Sequence, residues 1–376
     1  MNTILDKLVQ ESTKRVEDEK WEYYYQVGDY KFNNVYLAQW FEKETNSWAA
    51  FVAQHHNTLK NTLSHEQVDL DVDYNARTLT KLRQQHKTMR LCFSGGGDCL
   101  TILETAKKHD IHFDELLTFA SGNSLDLEEN KEIREIAIPS AASYTDYFKK
   151  HVIHMPGRNN EKQAYKDPYV YYRRPEIGPD MPMFRRMYNV NGEYQTGVNI
   201  IGPDKPQLLH YKNRWYTLCF DTWMNGTYAL KNTFYMNLHP DNIMANIKES
   251  ILHRNHLMKN DLVTGKTNFY RITDRNNVDI LQRIQPKNLE KSFAKSNAEH
   301  IWNGKDISAL KNLIEECDLE TLIDYFSTMK QFVDTQPYFN YNERVKNGHS
   351  KFCWAIDIDS LEVYTQSELL PNGFEE

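Results

Sequence analysis

Apolar and polar positions change period several times along the chain, and each change marks an element. Residues 1–20, MNTILDKLVQESTKRVEDEK, scatter apolar side chains among charges at helical spacing and predict a charged helix. WEYYYQVGDYKFNNVYLAQWF then reads as a strand-like aromatic run, a Gly-Asp turn and a further apolar segment, an ordered N-terminal extension. YNARTLTKLRQQH, residues 74–86, has helix-forming composition and runs into an apolar strand over residues 89–93. Three glycines and an aspartate follow, then a helix over 100–109 and a short apolar run, FDELLTFAS at 113–121, suited to a buried parallel strand. Strand, loop, helix and strand in this order make a βαβ unit.

Residues 128–150 have helical composition, with a break expected near Pro139 because proline disfavours helical geometry in the residue before it. HVIHMPG supplies a third strand. Turn residues, tyrosines and the pairs Arg173-Arg174 and Arg185-Arg186 predict an inserted loop region over the sheet edge between residues 157 and 190. YQTGVNIIGPDKPQLLHYKNRWYTLCFD reads as successive short strands with turns at Gly-Pro-Asp and Lys-Asn. A helix is expected over 241–256, and the remainder is read as mainly helical with a terminal hairpin around KFCWAIDIDSLEVYTQ. The fold class is therefore α/β: a mostly parallel sheet flanked by helices (residues 74–258), preceded by an extension (1–73) and followed by a mainly helical region (259–376).

Composition narrows the classes of function. With 376 residues and 40% hydrophobic side chains the chain can fill a sizeable core. No stretch approaches the ~18 apolar residues of a membrane span, and the N-terminus is too polar for a signal peptide, so a soluble, cytoplasmic protein with no membrane partner is expected. Cys92, Cys99, Cys219, Cys317 and Cys353 are odd in number and lack a C-x-x-C pair, which argues against a disulfide framework and a structural zinc site. The 14 histidines show no metal-ligand spacing. A net charge of -7 gives no general attraction for nucleic acid, while leaving a local basic face open.

The chemistry concentrates in SGGGDC, residues 94–99. Glycines let consecutive amides converge on one anion, and the following helix adds its N-terminal dipole. Ser94 offers a hydroxyl, and Asp98 a carboxylate that can cap the helix or hold Mg²⁺ beside phosphates. A tight strand-to-helix turn is the plainer reading of glycines alone. The Walker pattern fails because no lysine follows the glycines; the TGKT at residues 264–267 has Asn260 where the first glycine belongs. The dinucleotide pattern fails because Leu100 replaces its last glycine.

The loop does match S-G-G-x-D-[ST], with Cys99 in the last position, and so resembles the pyrophosphate loop of the N-type ATP pyrophosphatases. That superfamily includes asparagine synthetases, GMP and NAD synthetases and the phosphoadenosine phosphosulfate (PAPS) reductases. HFDELLTFASGNSLDLEENKEIREIAIPSA, GVNIIGPDKPQL, RWYTLCFDTW and FYMNLHPDNIMANIKESILH extend the similarity to PP-loop proteins common in bacteriophages, asparagine synthase-like or PAPS reductase-like, over residues 74–258. The resemblance implies a PP-loop, HUP-like core and ATP with Mg²⁺. Ser94, Gly95, Gly96, Gly97 and Cys99 would cradle phosphate, Asp98 would ligate the metal, and Phe119, Ala120 and Ser121 would border the adenine. Gly197, which opens the GVNIIGPDKPQL segment, is placed with the nucleotide-binding residues on the same ground.

Asn130 and Glu132 match an N-x-E recurring in the phage set, where the glutamate would complete the magnesium site; a solvated carboxylate at a helix start is the competing reading. Lys205 in the rigid GPDKP turn would neutralise charge developing on a phosphoryl group, or is an ordinary exposed lysine. The Arg pairs would clamp an anionic substrate or serve solvation. The expected reaction is adenylation of an unidentified acceptor, ATP giving AMP and pyrophosphate. Asn2, in place of a cysteine nucleophile, disfavours a fused glutaminase, and the acceptor classes left open are a small carboxylate or amine and a modified nucleobase. Two rival readings stand beside it. One is a sulfonucleotide reductase-like enzyme, for which Cys317 in EECDLE lacks the glycine and histidine of the reductase motif and fits a helical packing cysteine. The other is a non-catalytic nucleotide-binding module in phage-host interaction.

Overall fold

The structure, a computed structural model, describes residues 3–18, 23–32, 35–54, 56–64, 66–120, 124–126, 130–131, 133–155, 196–202, 207–220, 232–236, 239–263, 267–271 and 352–371. Helix α1 (Thr3–Asp18) buries Leu5, Val9, Ser12 and Val16 along one stripe, the pattern of a helix with a single apolar face. That stripe packs on an antiparallel sheet of order β2-β1-β3, formed by β1 (Tyr23–Val27), β2 (Tyr30–Phe32) and β3 (Ala50–Ala53). Helix α2 (Val35–Thr45) joins β2 to β3, and α3 (His56–Leu63) follows.

The α/β expectation holds in the next segment. Asp73 caps α4 (Tyr74–Gln85) by accepting from the N–H of Ala76 at 3.1 Å. The chain then forms β4 (Met89–Cys92), α5 (Gly97–Lys108) and β5 (Phe113–Phe119). Beyond β5 come a π-helical turn (Ile133–Ala137), a short α6 (Ile138–Ala141) and a 3-10 turn (Ala142–Tyr147), where the sequence suggests one broken helix. Pro139 lies in the first turn of α6, directly after the π-helical turn, so the helical run changes type beside it instead of stopping. Strand β6 (Phe148–His154) opens earlier than its apolar residues indicate, because Lys149 and Lys150 reach back to carboxylates on β5.

Strands β7 (Val198–Ile201) and β10 (Thr233–Tyr235) complete a sheet of order β10-β7-β4-β5-β6, with every neighbouring pair parallel. Counted in chain order this is 3-2-1-4-5, a doubly wound arrangement whose order reverses between β4 and β7. Leu79 and Leu82 of α4, Leu103 and Ala106 of α5, and Ala141 of α6 close one core against Leu91, Leu116 and Ile200 of the sheet.

The strands expected to run on from β7 belong elsewhere. β8 (Gln207–Tyr211) and β9 (Arg214–Phe220) join β11 (Thr267–Arg271), β12 (Phe352–Asp357) and β13 (Val363–Tyr364) in an antiparallel sheet of order β11-β8-β9-β12-β13. The β8–β9 turn falls at Lys212-Asn213, with φ of 49° and 61°, as a two-residue hairpin of primed type requires. The terminal hairpin is β12–β13, followed by a short α8 (Gln366–Leu369) under a Thr365–Glu368 capping box. Helix α7 (Ile243–Lys259) follows a 3-10 turn at Pro240–Asn242.

A second core unites regions distant in sequence: Leu5, Leu37, Phe51 and Leu59 pack with Leu208, Trp215, Trp354 and Ile356 of the antiparallel sheet and with Ile247 and Leu257 of α7. The N-terminal region is thus a layer of this core. Strand pairing also crosses residue 258, since β11 and β12 flank β8 and β9. The inserted region at 157–190, Cys317 and the expected helices between 272 and 351 lie outside the described residues. Among the described residues no helix is long and apolar enough to cross a membrane.

Candidate functional site

The glycine loop leaves the carboxyl end of β4 at the point where the strand order reverses. In doubly wound sheets that crevice is where ligands bind. Phe93 continues the sheet by donating its N–H to Leu117 O at 2.7 Å. Ser94 is exposed, and its Oγ accepts from Gly96 N–H at 3.4 Å. Gly95 has φ +75°, and a Cβ there would stand 2.9 Å from Ala137 Cα in the π-helical turn, so the loop is pressed against that turn and only glycine fits.

Gly96 is the N-cap of α5 and brings no side-chain acceptor to the amides of the first turn. Those amides have no partner inside a helix, and the dipole adds positive potential at the same end. Lys107 and Lys108 in the last turn complement the opposite end. Asp98 stands in the first turn, half-buried. Cys99 is buried, donates its thiol to Gly96 O at 3.1 Å and lies 3.7 Å from Ser94 Oγ, so the sulfur braces the loop from inside.

Neighbouring strand ends build the walls. Gly202, after β7, packs on the first turn of α5: a Cβ there would lie 2.8 Å from Ile102 Cδ1 and 3.2 Å from Asp98 O. Thr118 donates its hydroxyl to Phe93 O at 2.6 Å and lies 2.8 Å from His151 Nε2. Because the hydroxyl hydrogen is already used, His151 carries its proton on Nε2 and donates to Thr118. Burial lowers the His151 pKa, which favours that neutral ring. On the opposite face of β6, the His154 ring stacks on Phe119 with centroids 6.0 Å apart and planes at 17°. Ala120, fully buried, donates its N–H to His154 O at 2.8 Å. Asn130 is buried and donates from Nδ2 to Ser124 O at 2.9 Å, which ties down the turn after β5.

The structure therefore brings together Ser94, Gly95, Gly96, Gly97, Asp98 and Cys99, with Phe119 and Ala120 at the adjacent strand end. Gly197 is a correction. It precedes β7 at the opposite end of the sheet, with φ +84° and Thr88 O only 2.3 Å from a Cβ placed on it. Glycine is needed there for close strand packing, and no phosphate contact follows from it. Ser121, Glu132, Lys205 and the two Arg pairs lie outside the described residues. Thr118, His151, His154 and Ala137 are missed by the sequence reading. The available signal is the H-V-I-H spacing, which in a strand puts the two rings on opposite faces.

Among the described residues no group of three or more His, Cys, Asp or Glu side chains could hold a metal ion. Asp98 alone offers one hard oxygen ligand, and one or two carboxylates with substrate phosphates suffice for Mg²⁺. No protein-family model matches the chain, and no curated protein is similar to it at a significant level.

Proposed function

We propose that the chain is an ATP-binding PP-loop protein that adenylates a substrate, converting ATP to AMP and pyrophosphate. The observation that carries this reading is the placement of SGGGDC: a glycine loop at the strand-order reversal, with an uncapped helix N-terminus behind it and Gly202 packed on its first turn.

In this reading the amides of residues 95–97 and the Ser94 hydroxyl hold the β- and γ-phosphates. Phe119 and Ala120 border the adenine. The α-phosphate is left facing the acceptor, whose nucleophilic atom attacks phosphorus while the bond to the bridging oxygen breaks and pyrophosphate departs. Mg²⁺ held by Asp98 and the phosphates would offset their charge. Lys205, three positions beyond Gly202, is assigned to the charge developing at the α-phosphate. The acceptor is a small carboxylate or amine, or a nucleobase, from which a second nucleophile displaces AMP.

The test is incubation with ATP, Mg²⁺ and cell extract. AMP with pyrophosphate supports adenylation, and Asp98→Asn is expected to slow AMP release at least tenfold. Release of ADP and phosphate contradicts it. The rival reading, a module that binds nucleotide without turnover, is favoured by Cys99, a weak donor whose thiol is committed to Gly96 O. Tight binding of ATP with no AMP would select that reading.

A further inference from the structure

Strands β9 and β12 pair antiparallel, with Phe352 opposite Phe220 and Trp354 opposite Cys219, and the register shifts between these two pairs. Cys353 is the extra residue of that bulge. Regular alternation would turn Cys353 and Trp354 to opposite faces. Both lie in the core shared with the N-terminal layer, whereas Phe352 and Ala355 face the other core. Re-aiming a side chain in this way is what a bulge does. It sets the Cys353 thiol beside Cys219, itself buried on the same face, with Cys353 Sγ donating to Cys219 O at 3.5 Å. Both are free thiols, and they come from positions 134 residues apart.

We propose that Cys219 and Cys353 form a dithiol that a peroxide closes to a disulfide, stapling β12 to β9. One thiolate attacks a peroxide oxygen, the O–O bond breaks and hydroxide leaves, giving a sulfenic acid. The second thiolate attacks that sulfur, the S–S bond forms and a second hydroxide leaves. The two thiol protons convert the hydroxides to water; the cysteines lose two electrons and the peroxide gains them. Burial and mutual hydrogen bonding push the Cys353 thiol up, which makes the reaction slow and ties its rate to opening of β12. The linkage is independent of nucleotide chemistry at the glycine loop. Its consequence is a covalent bond between the central antiparallel pair, which restricts the unfolded chain more as the enclosed segment lengthens.

The test exposes the native full chain to hydrogen peroxide, then alkylates it under denaturing conditions and maps the peptides. The expected product is one linked pair joining the peptides of Cys219 and Cys353, lighter by two hydrogens and restored by dithiothreitol. The oxidised chain should melt roughly 5 °C higher. Cys353→Ser and Cys219→Ala should each remove both the pair and the shift, and the wild-type map stands by itself if either variant fails to fold. Alkylation of both thiols after prolonged oxidation, or linkage of either to Cys92, Cys99 or Cys317, would overturn the proposal.

Discussion

The two five-stranded sheets have the same number of strands and opposite ways of being specified. In the parallel sheet, β4, β5 and β6 arise in a row from residues 89–154, each joined to the next by a local crossover. In the antiparallel sheet, β9 takes as its partner a strand whose Cys353 lies 134 positions beyond Cys219. The first arrangement gathers loops at one end of parallel strands, where a ligand can be held. The second is buried on both faces, with Trp354 and Ile356 on one and Ala355 on the other, and is built for packing.

The largest way to sharpen that contrast is Trp354→Ala. Its ring is among the largest fully buried side chains, and its loss should cost about 3–5 kcal/mol in denaturant unfolding. A loss below about 1 kcal/mol would mean that the antiparallel sheet is not the stability centre.

Next comes a pair of glycines at the two ends of the parallel sheet. Gly95→Ala and Gly197→Ala each place a Cβ at positive φ against backbone, and each should destabilise by about 2–3 kcal/mol. ATP affinity, measured by titration calorimetry, should fall at least tenfold in Gly95→Ala and stay within about twofold in Gly197→Ala. Equal losses would erase the distinction between the loop end and the structural end.

The legibility of the sequence follows the same division. Helix α4, strand β4, helix α5 and strand β5 stand within a few residues of where periodicity puts them, because the apolar pattern that decides which side chains are buried is local even where the strand partner is not. Sheet membership beyond β6 is not written in local patterns: β7 ends at Ile201 and β8 begins at Gln207, close in sequence, yet they enter different sheets. The SGGGDC loop is legible because glycine and helix-start chemistry are local. Gly197 is misread because GVNIIGP contains a whole strand, and its two glycines lie roughly 15 Å apart at opposite ends of it. His151 and His154 become informative only when β6 is known to lie beside β5.

Smaller effects test what anchors each region. Asp114, on β5, ties helix α4 and strands β6 and β4 together, accepting from Arg83 at 2.7 Å, Lys149 at 2.6 Å and Met89 N–H at 2.9 Å. Partial burial opposes ionisation, yet these bonds lower its pKa from 3.8 to about 2. Its stabilisation is therefore complete above pH 3.8 and is lost as pH falls toward about 2. Asp114→Asn should cost about 1–2 kcal/mol at neutral pH and flatten the stability profile in that window, read by chemical denaturation against pH.

His253, on the α7 face packed in the other core, is fully buried; burial first, and His256 second, lower its pKa from 6.5 to about 3. A depressed pKa means stability present above pH 6.5 and lost as pH falls toward 3. The loss at pH 6 should be about 1 kcal/mol, absent from His253→Gln. An unchanged slope in the variant would place the acid sensitivity elsewhere.

The most direct test of the central claim is amide hydrogen exchange of the full chain with and without ATP and Mg²⁺. Binding at the loop predicts slowed exchange over residues 94–100 and around Ala120, with no change at residues 196–198. Protection confined to other segments, or none at saturating ATP, would contradict the assignment of SGGGDC as a nucleotide phosphate loop.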